Sequence, residues 1–310
     1  MPWVDPAGVP GGAPAAHNLG RVESLGAFLK SRRDRVTPAD VGLRTHGAVR
    51  RVPGLRREEL ALLAGVSAGY YTRLEQGQAE TASPQVLDAL ARALRLDEIE
   101  TVHLHNLARR PAARRLAEPP PEEPAPHVLA LLDAIADATP AIVLGRRGDV
   151  LAWNRTGHAL RAEHVPFGAP GHPAQRPSIT RMLFLDPLAR DLYRNWAEVA
   201  LAHVAHLRLT AGRHPTDARL AELIGELSMR SDEFAAMWAS GVVADCTTGT
   251  MELQHPTVGP VEVTYHVWLQ PDSPDVRLEI YTPNDPGSAD ALRILAQQSH
   301  PDREPAARRR

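Results

Sequence analysis

The sequence predicts two domains, an all-α bundle of five short helices followed by an α+β domain with an antiparallel sheet. Three observations lead there. At 310 residues the chain exceeds the usual single-domain size of roughly 100 to 200 residues. Residues 109–126 carry Pro119, Pro120 and Pro121 among glutamates with almost no apolar period, the composition of a stiff, extended linker. Ahead of that stretch apolar residues recur at helical spacing, whereas near the far end the period drops to two.

In chain order, residues 1–20 are rich in Pro and Gly and hold few large apolar side chains, so a flexible leader is expected. The bundle, residues 21–108, opens with a helical pattern over 22–33. It closes with helices over 84–94 and 97–108, with Val86, Leu90, Leu94 and Leu104 facing inward. The second domain spans 127–298 and starts with a helix over 127–138. Apolar runs at 141–144 and 150–153 around Gly145-Arg146-Arg147-Gly148 signal a hairpin. Asn154 follows where its side-chain carbonyl caps a short helix through Leu160. Residues 165–178 read as a Pro/Gly loop. One long helix is expected over 187–211, with Leu192, Trp196, Val199 and His203 on its apolar stripe, then two more near 216–229 and 231–239. Beyond them Val261, Val263, Tyr265, Val267 and Leu269 alternate with Glu262, Thr264 and His266, and Val276, Leu278 and Ile280 repeat the alternation. Residues 299–310, ending in three arginines, read as a flexible basic tail.

Hydrophobic residues at 43% and charged residues at 23% fit an ordinary globular mix and exclude a wholly disordered or collagen-like chain. The single cysteine, Cys246, cannot close an intramolecular disulfide and rules out a cysteine-rich zinc site. No apolar run reaches the roughly 18 residues of a membrane span, and a cytoplasmic location is expected. Of the 35 basic residues only Lys30 is not arginine, so arginine abundance says less than arginine placement. Residues 21–115 hold 17 Lys+Arg against 11 Asp+Glu, a balance of +6, while the remainder stands at −8. A basic front and an acidic remainder suggest separate tasks.

Residues 57–77, REELALLAGVSAGYYTRLEQG, hold two short helices broken at Gly65. Ala61 is small where the second helix crosses the first, Gly65 permits the positive φ of a sharp turn, and Ser67 can cap the next helix. Leu60, Ala64, Val66, Tyr71 and Leu74 then face inward, and Ala68, Gly69, Thr72, Arg73 and Gln76 outward. Gly65-Val66-Ser67-Ala68-Gly69 also matches the G-x-S-x-G nucleophile elbow, but that motif needs a strand before the serine, and here a helix precedes it. A plain helical hairpin in a core is the blander alternative.

The segment resembles the helix-turn-helix of XRE/Cro-type repressors. The resemblance implies a second helix lying in the major groove of double-stranded DNA and a first helix crossing the backbone. It assigns phosphate contacts to Arg56 and Arg57 and groove contacts to Ser67, Ala68, Gly69, Tyr70, Tyr71, Thr72, Arg73 and Gln76, with Arg73 the candidate for bidentate contact to guanine. The spacing leaves open which of Tyr70 and Tyr71 packs inward. The connection over 37–53 carries Arg44, His46, Arg50 and Arg51, as a solvated loop or as further phosphate contacts.

In the second domain, Gly148-Asp149-Val150-Leu151-Ala152-Trp153-Asn154 resembles the opening of a PAS-type domain. Met182-Leu183-Phe184-Leu185-Asp186-Pro187, Tyr193-Arg194-Asn195-Trp196, Gly225-Glu226-Leu227-Ser228, Ser231 with Phe234 and Trp238, and His255-Pro256 with Gly259 follow in order. Behind an XRE-type domain, these runs look like the MmyB-like family of regulators. That resemblance implies a PAS-like ligand-binding domain for a fatty-acid-like or other apolar small molecule. Trp153, Phe184, Trp196, Phe234, Trp238 and Tyr265 are the candidate lining, in a chain only 5% aromatic, with ordinary core packing as the alternative. Arg181, Asn195 and His255 are candidate partners for a ligand's polar head. His203 and His206, three apart, hold a metal only if a third ligand joins them, and a buried, hydrogen-bonded pair is the simpler reading.

The expected function is a sequence-specific transcription regulator, not an enzyme, with no cofactor beyond an apolar effector. It is expected to act as a homodimer on a palindromic operator, with no membrane partner. A DNA-tethered protein-interaction module and an enzyme acting on an apolar substrate are the alternatives.

Overall fold

Five short helices build the front half: α1 (Leu25–Arg35), α2 (Arg57–Leu63), α3 (Ala68–Glu75), α4 (Pro84–Ala93) and α5 (Glu98–Ala108). A computed structural model describes residues 24–43, 53–78, 82–109, 122–244, 247–270 and 273–299. Ser24, Ser67, Ser83 and Asp97 each accept a backbone N–H at the start of their helix, meeting donors that no helical carbonyl can reach. Phe28, Leu29, Leu55, Leu60, Tyr71, Leu90 and Leu104 form the fully buried centre. Leu94 joins them, while Val86 packs at the edge, half-buried.

The second domain carries α6 (Pro126–Ala134), β1 (Ala141–Leu144), β2 (Val150–Trp153) and α7 (Arg155–Ala162). Then come α8 (Ile179–Leu185), α9 (Pro187–Leu192), α10 (Trp196–Arg213), α11 (Ala218–Arg230) and α12 (Asp232–Ala239). It ends with β3 (Thr248–His255), β4 (Gly259–Gln270), β5 (Ser273–Pro283) and α13 (Pro286–Gln298). The sheet is antiparallel in the order β2-β1-β5-β4-β3. Asn154 caps α7, its Oδ1 accepting from Gly157 N–H at 2.8 Å.

One expectation changes, and the structure adds elements and a facing that the spacing left open. The helix expected over 187–211 is two helices, because residues 193–195 are diverted to the sheet. Tyr193 bridges Leu253, Arg194 N–H donates to the Glu252 carbonyl at 2.8 Å, and Asn195 Oδ1 accepts from Glu252 N–H at 3.0 Å. These bonds with β3 replace helical ones, an outcome invisible to helical spacing. Helices α8 and α13 and strand β3 were not anticipated. Finally, the apolar rows of β4 and β5 face opposite sides. Tyr265 pairs with Tyr281 and Trp268 with Leu278, so Val276 and Leu278 turn to α6 on the outer face. That phase directs Arg277, Glu279 and Tyr281 inward, beneath the helices, with Val261 and Val263.

The two halves share a core. Leu209 of α10 and Val243 belong to the same apolar cluster as Phe28, Leu90 and Leu104 of the bundle. A Cβ on Gly212 would stand 2.6 Å from Nδ1 of the fully buried His103 of α5, so α10 and α5 meet where no side chain fits. Arg32 of α1 donates to the Gly241 carbonyl at 2.7 Å, and Arg35 to that of Ser240.

Candidate functional site

The turn between α2 and α3 is built as its residues require. Gly65 sits at φ 66, where a side chain would be strained. Val66 N–H returns to the Ala61 carbonyl at 3.0 Å, and Ser67 Oγ accepts from Tyr70 N–H at 3.1 Å. Ser67, Gly69, Arg73 and Gln76 are exposed along the outer side of α3, with Ala68, Tyr70 and Thr72 half-buried beside them. Tyr71, which the resemblance assigns to the groove, is instead the inward member of the tyrosine pair. It is fully buried and cannot reach a base edge.

Glu75 holds α3 in place from behind. Its carboxylate, 2% exposed, accepts from Arg33 Nε at 2.7 Å, from the Tyr71 hydroxyl at 2.7 Å and from Arg57 Nε at 2.6 Å. Burial alone pushes the Glu75 pKa up, but these three donors outweigh it and hold it below the ordinary value. Burial and the neighbouring carboxylate push the Tyr71 phenol far up. Gly26 lets α1 cross this point, because a Cβ there would lie 2.0 Å from the Glu75 carbonyl oxygen. Arg56 is exposed at the start of α2, and Arg57 is half-exposed with Nε committed to Glu75. Arg44, His46, Arg50 and Arg51 lie outside the described residues.

In the second domain the aromatic candidates fall into separate groups. Trp153 donates from Nε1 to the Phe167 carbonyl at 2.8 Å, packs on His158 and Phe167, and borders a surface cleft of about 210 Å³. Phe184 meets Trp196 and Phe234 edge-on, and Phe234 stacks with Trp238. Tyr265 of β4 packs over Gly249 of β3. The three head-group candidates are occupied. Arg181 is half-exposed and paired with Glu226 at 2.7 Å, Asn195 ties α10 to β3, and His255 donates from Nε2 to the Ala159 carbonyl while Nδ1 accepts from Thr257 N–H. Each suits a polar head by residue type, but its partner in the fold is remote in sequence.

A buried polar cluster beneath the sheet was missed. The Arg161 side chain is fully buried, with Nε donating to the Tyr193 hydroxyl at 2.7 Å and Nη1 to the Tyr281 hydroxyl at 2.5 Å. Glu279 accepts from Tyr281 at 2.7 Å and lies 4.0 Å from Arg161 and 3.3 Å from Arg277. His203 Nδ1 is 3.2 Å from Thr180 Oγ1. Burial first, then the nearby Arg277 and Arg161 charges, hold its imidazole well below its usual pKa and therefore neutral. Among the described residues no three metal-ligating side chains gather, so His203 and His206 lack a third ligand there. The available sequence signal was Arg277-Leu278-Glu279, charge alternating with an apolar row, which reads as a solvent face until the sheet is covered on both sides.

With this architecture in view, the profile of the MmyB-like transcription regulator ligand binding domain matches residues 124–295, more than half the chain. The chain belongs to that family. Residues 24–104 match a helix-turn-helix domain, so this MmyB-like protein is a DNA-binding transcription regulator rather than an enzyme, with a helix-turn-helix domain ahead of a ligand-binding domain. No curated protein matches the chain. Among the described residues no helix of the MmyB-like chain is long and apolar enough to cross a membrane.

Proposed function

We propose that this MmyB-like regulator binds a palindromic operator as a homodimer and that a small apolar effector in the second domain sets its affinity for DNA. The outer side of α3 carries the first part of the reading. Small residues there flank an exposed Arg73, with Tyr71 and Leu74 turned into the core. Such a flank admits close approach to base edges, Arg73 takes guanine, and Arg56 and Arg57 lie toward phosphate. Two copies would place their reading helices about 34 Å apart on successive turns. Arg73→Ala is expected to cost about 1–3 kcal/mol and to relax preference at one base position per half-site. Operator variants titrated by fluorescence anisotropy check this, and unchanged discrimination would refute the assignment.

The effector part is supported by the course of α10. The helix starts at Trp196 among Phe184 and its neighbours and carries Leu209 into the bundle core. A ligand that favours one setting of those aromatics favours one setting of α10, and differential affinity of that kind is what shifts a population. Phe184, Trp196, Phe234 and Trp238, which meet one another, are the proposed lining, with Trp153 and Tyr265 in separate groups. Denaturing the purified protein and identifying released molecules by mass spectrometry tests this, with an apolar compound expected at near one per chain.

A further inference from the structure

The last carbonyls of a helix have no donor within it and stand at the negative end of its dipole. Helix α12 carries no basic side chain in its own last turn. Guanidiniums from elsewhere in the fold take that place. The Trp238 carbonyl accepts from the buried Arg208 of α10, the Ser240 carbonyl from Arg35 of α1, and the Gly241 carbonyl from the buried Arg32 of α1 at 2.7 Å. Gly241 sits at φ 68, a left-handed setting that suits glycine at a helix end, and two residues later Val243 enters the bundle core. Arg32 also pairs with Glu100 of α5 at 2.8 Å, so the turn at 238–241 is held by α1 and, through Arg32, tied to α5.

This turn joins the aromatic group of the second domain to the reading helix. On one side Trp238 stacks on Phe234, which meets Phe184 edge-on, and the Arg208 guanidinium lies 4.2 Å from the centre of the Trp238 ring. On the other, α1 reaches α3 through the Arg33–Glu75 pair and the crossing at Gly26. We propose that the turn closing α12 positions α1, and through it α3, for DNA, so that a change at Trp238 registers as a change in operator affinity. Hydrogen bonds weaken steeply when bent, so α1 follows the turn instead of sliding past it. Arg32 and Arg35 are then positioning residues, acting through α1 and not on a base. This deepens the effector reading above and rests on it for the trigger, while the linkage itself needs no ligand.

The test is a double-mutant cycle on the full-length chain without added ligand, read by anisotropy on a duplex selected in vitro against the natural protein. Arg35→Gln removes an exposed donor and Trp238→Ala a half-buried ring, and each is expected to weaken binding about three- to tenfold. The double variant is expected to bind within about twofold of the weaker single one, because both changes act through one turn. Arg35→Lys, which keeps the charge and a donor, is expected to recover most of the affinity. Amide hydrogen exchange of Arg35→Gln gives a reading that does not depend on Trp238→Ala folding, with faster exchange expected in both α1 and the last turn of α12. Losses that multiply, as they would if Arg35 met phosphate directly, no loss at all, or unchanged exchange in α1 would overturn the linkage and leave the effector reading standing. Finding no released apolar compound would sink the effector reading and leave the linkage in place.

Discussion

Glu75→Ala is expected to lower the stability of the helix-turn-helix domain by about 3–5 kcal/mol, the usual cost of stripping one partner from a buried ion pair. The carboxylate answers Arg33, Tyr71 and Arg57 at once. Without it the buried Arg33 keeps, among the described residues, its bond to the Leu55 carbonyl, at 2.7 Å, and its 3.1 Å pairing with Asp34, whose side chain is half-exposed. Operator binding should fall in parallel, since this carboxylate ties both α1 and α2 to α3, in addition to the apolar core that the three helices share. Urea denaturation measures the loss, and a midpoint within experimental error of the natural chain would refute the role. Glu75 also carries a pH signature. Its folded pKa lies below its unfolded one, so its contribution is complete above the ordinary glutamate value of about 4.3 and disappears as pH falls through the lower folded value. Glu75→Gln should flatten that acid limb.

Leu209→Ala is expected to cost about 2–5 kcal/mol, the range for emptying a buried leucine site. Its distinguishing result lies in where the loss is felt. Leu209 stands on a helix of the ligand-binding domain but is 1% exposed within the core of the bundle. The helix-turn-helix domain should therefore loosen, and the effector should lose its influence on operator affinity even though no residue touching DNA has changed. Anisotropy titrations with and without effector read the coupling directly. A variant that is destabilised yet fully coupled would show that α10 does not carry the signal.

The DNA-reading half was largely legible because its determinants are local. Gly65, Ser67 and the inward Leu60, Ala64 and Leu74 act within one or two turns of chain, and their spacing alone places them. The tyrosine pair was decided only by packing, since both Tyr70 and Tyr71 suit an amphipathic helix and the choice depends on Glu75 and the crossing of α1 at Gly26. The second domain was legible as hairpin, capped α7 and alternating strands, again from short-range pattern. Its long helix failed at residues 193–195, where the competing partner was the backbone of β3 about 57 residues away, as in the Glu252–Asn195 bond.

By itself, then, the order of residues determined most of the helices, the caps at Ser67 and Asn154, the turn before α3 and the alternation of β4. All of these arise from dihedral preference and periodicity over a few neighbours. Tertiary structure alone decided which face of β5 is covered, and so why Arg161, Arg277 and Glu279 meet, and it alone joined α10 to the bundle at Leu209 and Gly212. Those outcomes depend on burial and on charges brought together across 100 residues or more, as between Arg161 and Tyr281, and no local pattern encodes a partner that distant.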